Sequence, residues 1–177
     1  MIMKHLFLKT TLLFFAITCY NCEDNTNLNN DSVGNDTFSC YVNGKLYIPS
    51  AGKGIGGGDI RPFSWAFKEK NNEMRLTFYA GGEYTLFINL LKPLIGDNIL
   101  NEELNDAIDT NHNGMVLHNN LIFYNTRNNT DNIVIKIAQL SEKEVIGSFE
   151  GKLYNDKGVE LNITKGNFNL SLNSKRN

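Results

Sequence analysis

The chain has no excess of positive charge. Its 17 Lys and Arg stand against 19 Asp and Glu, a formal net charge of -2. That balance excludes the basic surface nucleic-acid binding requires, so no nucleic-acid partner is expected. Long apolar runs are also missing, because the stretch from Leu12 to Ile17 falls well short of the ~20 residues a membrane-spanning helix needs. Histidine and cysteine number three each, too few for a dense metal cluster or a disulfide scaffold. Proline also occurs only three times, whereas Gly occurs 15 times and Asn, the commonest residue, 27 times. That tilt suits turns and loops better than helices. A length of 177 residues corresponds to about one domain.

The N-terminus has the build of a secretory signal. Lys4 and Lys9 precede the apolar run, and small residues follow up to Cys19. The segment Phe15-Ala16-Ile17-Thr18-Cys19 resembles a bacterial lipobox, whose cysteine is acylated and becomes the new N-terminus. Residues 1–18 are therefore expected to be a lipoprotein signal peptide and Cys19 the lipidation site. Cys22 is the alternative, preceded by the bulkier Tyr20 and Asn21. Two or three acyl chains give a stable anchor where one is marginal, so the membrane is an expected partner. Loss of Lys4 and Lys9 leaves 15 basic against 19 acidic side chains, a net charge of -4. Glu23-Asp24 after the lipid site resembles an export tag of Bacteroidota outer-membrane lipoproteins, and Asp31-Ser32-Val33 resembles their short O-glycosylation sequence.

Residues 19–37 offer almost nothing to bury and read as a disordered, Asn-rich tether. From 38 to 174 apolar and polar residues alternate with period two, the pattern of half-buried strands. Phe38, Cys40 and Val42 share one face, and Asn43-Gly44 is a strong hairpin signal. Ile133, Ile135 and Ile137 form another stripe, as do Val145, Gly147, Phe149, Gly151 and Leu153. Trp65, between Phe63 and Phe67, is expected in the core. Cys40 is expected as a buried thiol, with a Cys22–Cys40 disulfide as the other possibility in an oxidising compartment. One short helix is expected between Asn98 and Ile108, where Ile99, Leu100, Leu104 and Ile108 approach helical spacing behind an Asn98 cap. The fold class is all-β: an antiparallel β-sandwich or flattened barrel of about ten strands.

Two stretches carry a resemblance. Phe38-Ser39-Cys40-Tyr41-Val42-Asn43-Gly44-Lys45 opens the domain, and Gly147-Ser148-Phe149 followed by Asn162-Ile163-Thr164-Lys165-Gly166-Asn167-Phe168 closes it. Together they resemble small, flavobacterial-type Bacteroidota lipoproteins that carry a domain of unknown function. The resemblance implies a lipid-anchored β-rich domain and brings no activity and no catalytic residues.

Candidate chemistry is sparse. Asp109-Thr110-Asn111-His112-Asn113-Gly114 matches the first half of a calcium loop, but its twelfth position is Asn120 where a bidentate Glu is needed. Asp109, Asn111 and Asn113 are thus a weak calcium candidate, and an Asn-rich turn is the better reading. His112 and His118 do not have a recognised ligand spacing. The glycine-rich segment 52–58 lacks the Gly-Lys-Ser/Thr ending of a phosphate loop, and no Gly-x-Ser-x-Gly elbow is present. Glu102, Glu103, Asp106 and Asp109 read as a solvated face rather than a hydrolytic pair. No catalytic residue and no cofactor are expected.

For binding, Tyr79, Phe87 and Tyr124 are the candidate aromatic platform, provided they share one outer surface. The expected role is non-catalytic binding of a glycan, small molecule or protein partner at the cell envelope. The alternative is a structural component docking through an exposed edge strand.

Overall fold

The computed structural model describes residues 36–54, 57–80, 84–104, 112–119, 121–127 and 133–176. The described residues form thirteen strands: β1 Thr37–Val42, β2 Lys45–Tyr47, β3 Gly52–Lys53, β4 Asp59–Ile60, β5 Phe63–Lys68, β6 Glu73–Ala80, β7 Tyr84–Leu91, β8 Gly96–Leu100, β9 Gly114–Asn119, β10 Ile122–Asn125, β11 Ile133–Leu140, β12 Glu144–Tyr154 and β13 Glu160–Ser171. A single 3-10 turn, Glu69–Asn71, is the only helical element among the described residues. The all-β expectation is met.

Eleven strands form one antiparallel sheet, ordered β2-β1-β13-β12-β10-β9-β7-β6-β5, with β11 beside β12 and β8 beside β11. The sheet folds over on itself. One half is β2-β1-β13-β12-β11-β8 and the other is β5-β6-β7-β9-β10. Their joint at one corner is β12, which pairs with β11 from Val145 to Glu150 and reaches β10 only through Tyr154 and Asn125. At the opposite corner the residues after β13 run along β5, where Trp65 bridges Lys175.

The pleat explains which side chains lie between the halves. Phe38, Cys40 and Val42 on β1 face inward, as do Leu76 and Phe78 on β6, Leu86 and Ile88 on β7, and Ile133, Ile135 and Ile137 on β11. Across the interior Phe38 stacks on Phe78 with ring centroids 3.8 Å apart. The Tyr47 hydroxyl donates to the Phe78 carbonyl at 2.9 Å, and the Trp65 indole N–H donates to the Ser171 carbonyl at 2.7 Å. These contacts tie one half to the other, and Trp65 is buried as expected.

Asparagines occupy the turns. Asn43 and Gly44 connect β1 to β2 with φ of 47° and 79°, as a type I′ hairpin requires. The Asn155 side-chain oxygen accepts the N–H groups of Lys157 and Val159 and so folds the turn from β12 to β13.

The short helix is corrected. Asn98, Ile99 and Leu100 lie in β8, paired with Ile135, Val134 and Ile133 of β11; residues 105–108 are outside the described residues. Pairing of β8 to a well-formed neighbour outweighs weak local helical spacing. Nor does Asn98 cap a helix: its side chain accepts from the Leu94 N–H and donates to the Leu94 and Gly96 carbonyls, closing the turn before β8. At the N-terminal boundary, Thr37 is already strand, and the Asp36 carboxylate accepts from the Ser171 N–H at 2.6 Å and the Ser174 hydroxyl at 2.9 Å.

Candidate functional site

The expected platform residues do not share a surface. Tyr79 on β6 pairs with Thr85 on β7, and Phe87 pairs with Thr77, so both aromatics take the outer face of their half. Tyr124 pairs with Leu117, which pairs with the buried Leu86. Tyr124 therefore points the other way and packs against the core. The reason is parity: neighbours on a strand alternate faces, and the register puts Phe123 outward instead. The outer row runs Tyr79, Thr85, His118, Phe123. The Tyr79 ring is itself occupied. It lies so close over Gly52 of the β3–β4 hairpin that a Cβ there would collide with it.

A groove of about 490 Å³ opens beside Phe123. Its origin is a gap in the sheet. Strand β10 meets β12 only at Asn125, so along Ile122–Tyr124 it separates from the turn that follows Tyr154. It is lined by Leu121, Ile122, Phe123 and Asn125 at β10, by Tyr154, Asn155, Asp156 and Lys157 at the end of β12, and by Glu103 and Leu104. Apolar side chains are unusually exposed here, Leu121 at 92% and Phe123 at 51%.

The groove is held in shape by its neighbours. The Phe123 ring stacks on His118 at 4.4 Å with planes 12° apart, which fixes an otherwise exposed side chain. The Arg127 guanidinium sits 5.8 Å from the Tyr154 ring centroid and donates to the Asn155 carbonyl. Thr126 donates from its backbone N–H to the Met115 carbonyl at 3.0 Å. By the alternation of antiparallel ladders, Phe123 then directs its N–H and C=O away from β9 and into the gap. The Asn125 side-chain oxygen is buried and has no hydrogen-bond partner among the described residues. Buried acceptors are rarely left unpaired. The sequence held one signal of this groove: Leu121-Ile122-Phe123-Tyr124 is a run of four bulky residues, and period-two burial can take only half of them inside.

The remaining candidates divide between used and undescribed residues. The Asn113 side-chain oxygen accepts the Leu91 N–H at 2.7 Å, and the Asn113 N–H donates to the Glu102 carboxylate; Asp109 and Asn111 lie outside the described residues. Asn113 thus ties the start of β9 to the end of β7 and to the segment after β8. No group of three or more His, Cys, Asp or Glu is placed to hold a metal among the described residues. Lys53 and Asp59 form an ion pair where β3 and β4 run antiparallel, and residues 55–56 of the glycine-rich segment are outside the described residues. Cys40 is a fully buried free thiol, and burial pushes its pKa from 9.0 up to about 12. Burial, and then the nearby Cys40, likewise push the Tyr47 hydroxyl well above the usual tyrosine range. Both are core groups without a reactive form near neutral pH. Cys19 and Cys22 lie outside the described residues.

Comparison of the chain with family models, with curated proteins and with solved structures gives no match.

Proposed function

We propose that this protein is a lipid-anchored β-domain of the cell envelope, held at the outer membrane through Cys19, that binds a ligand without transforming it in the groove between β10 and the β12–β13 turn. The observation that carries the binding reading is the groove: an open concavity with an exposed aromatic fixed in place and a buried acceptor lacking a partner. Concave sites with apolar walls and a few convergent polar groups are the usual form of a ligand site. The leader, its lipobox-like end and the resemblance to small Bacteroidota lipoproteins support the location. Labelled palmitate should enter the wild-type chain and Cys22→Ala but not Cys19→Ala. The reverse pattern would move the anchor to Cys22, and no incorporation in any of the three would remove it.

Edge-strand docking is the second reading, favoured by a separate surface. Strand β8 ends the first half of the sheet, and Leu94, Ile95 and Ile99 beside or within it are more than half exposed. An exposed apolar edge is a template for strand addition. A charge at Ile99 separates the readings. Ile99→Lys should abolish partner capture if β8 docks and leave ligand binding intact if the β10 groove is the site.

A further inference from the structure

Resting on the groove reading, we propose that the ligand is a neutral glycan, one pyranose ring of which lies on Phe123. The argument is one of complementary chemistry. A pyranose has an apolar C–H face and a rim of hydroxyls, and it needs a flat apolar surface beside a row of acceptors. Phe123 supplies the flat surface, half exposed and already stacked on His118, so little side-chain freedom is lost on binding. The same groove holds acceptors. Glu103 and Asp156 are exposed carboxylates of the groove that have no ion-pair partner among the described residues. The Phe123 carbonyl faces the same gap.

Charge gives acidic sugars no advantage. Glu103 and Asp156 are balanced by Lys157 and by Arg127, which reaches the Asn155 carbonyl, so the groove offers no net charge to attract a uronic acid, sialic acid or sulfated sugar over a neutral one. Hydroxyl donors match acceptors, whereas an anion does not. The site is a surface cleft, and Leu121 on it is almost wholly exposed. Such a cleft suits a unit within a chain as well as a free end. An extended basic peptide is the principal competitor, because the Phe123 backbone could also pair with a strand. It ranks second because the gap offers a single unpaired residue of ladder, between Asn125, already paired with Tyr154, and the turn before Ile122.

The test uses the full chain on an array of neutral, amino and acidic oligosaccharides, with a parallel panel of basic and acidic peptides, followed by titration calorimetry on what is captured. A neutral oligosaccharide should bind. Phe123→Ala should weaken it about tenfold, in line with the loss of an aromatic contact, while Phe123→Trp retains it. Glu103→Gln combined with Asp156→Asn should weaken it by a similar factor, and Ile99→Lys should leave it unchanged. Phe123 is at the surface, so each variant should melt as the wild type does, which separates lost binding from lost folding. Neutral-glycan binding indifferent to Phe123→Ala, or capture of acidic glycans alone, overturns the proposal. Capture of basic peptides but no glycan, sensitive to Phe123→Ala, overturns the ligand class and leaves the groove as a site. No capture from either panel overturns the groove reading itself.

Discussion

Gly147 on β12 lies directly opposite Phe168 on β13, and the Phe168 ring covers the place a Gly147 side chain would occupy. Two residues along, the pair is inverted: Phe149 lies opposite Gly166 and covers it. The two Gly-x-Phe segments of the closing hairpin are thus reciprocal, each ring filling the space that the facing glycine leaves. A Cβ at Gly147 would stand 2.5 Å from Phe168 Cζ and 2.7 Å from the Lys136 carbonyl oxygen, and one at Gly166 would stand 2.6 Å from the Phe149 carbonyl oxygen. Gly147→Ala and Gly166→Ala should each lower stability by about 1–3 kcal/mol, the usual cost of overpacking a core. Gly58→Ala, whose Cβ would meet nothing within 4 Å, should stay within about 0.5 kcal/mol of wild type. Urea midpoints of the three variants check this.

The first hairpin gives a second prediction. Asn43 holds a left-handed φ of 47° and accepts the Asn162 N–H through its side-chain oxygen at 2.8 Å. Asn43→Ala should cost about 1–2 kcal/mol, from strain at positive φ together with a lost hydrogen bond. Asn43→Gly should recover the strain part alone. Thermal melts of both variants give the two contributions separately.

The strands and the β1–β2 hairpin were legible because alternation and Asn-Gly are local signals that agree with the global fold. Where tertiary pairing decided, the sequence was silent. Asn98 to Leu100 pass for a helix start only while β11 is out of view, since Ile99 gains its place opposite Val134 and Leu100 opposite Ile133. Tyr124 and Phe123 are adjacent aromatics, and only the register of β10 on β9 shows which of them faces out. The groove was illegible for the same reason. It exists because β12 leaves β11 at Glu150 and meets β10 only at Tyr154, a long-range arrangement that joins Phe123 to Asp156 and Glu103.

Alkaline pH should weaken the domain through Cys40. Its thiol is held protonated in the fold up to about pH 12 but ionises near pH 9.0 once exposed. Above pH 9.0 the unfolded chain therefore binds fewer protons than the native one, and stability falls as pH rises towards 12. Below pH 9.0 the contribution is fully present. The limb due to this one group approaches about 1.4 kcal/mol per pH unit. Cys40→Ala should flatten the alkaline limb of urea midpoints by that amount, leaving a decline due to Tyr47, whose shift has the same sign and which begins only above the usual tyrosine pKa of 10.0. Thiol reagents should label Cys40 only as the chain unfolds, since the native side chain is wholly buried.

The corner opposite the groove depends on Trp65 and the residues after β13. Trp65 donates its backbone N–H to the Ser174 carbonyl at 3.0 Å and accepts the Arg176 N–H at 2.7 Å, and the Lys175 ammonium sits 5.1 Å from its ring centroid. Ser174 also reaches the Asp36 carboxylate, which holds the start of β1. One short segment thereby closes the seam between β5 and β13 and pins the entry of the chain. Truncation after Leu172 should remove four backbone hydrogen bonds, two of them to Trp65, and expose part of the indole; the two to Trp65 and the ring together cost about 3 kcal/mol, at roughly 1 kcal/mol per bond and the remainder from the ring. The loss should be local first. Amide exchange at Trp65 and its β6 partner Leu76 should accelerate ahead of Ile135 in β11, which lies in the other half of the sheet. Equal acceleration at all three sites would instead mean that the fold-over has no independent seam and opens as one cooperative unit.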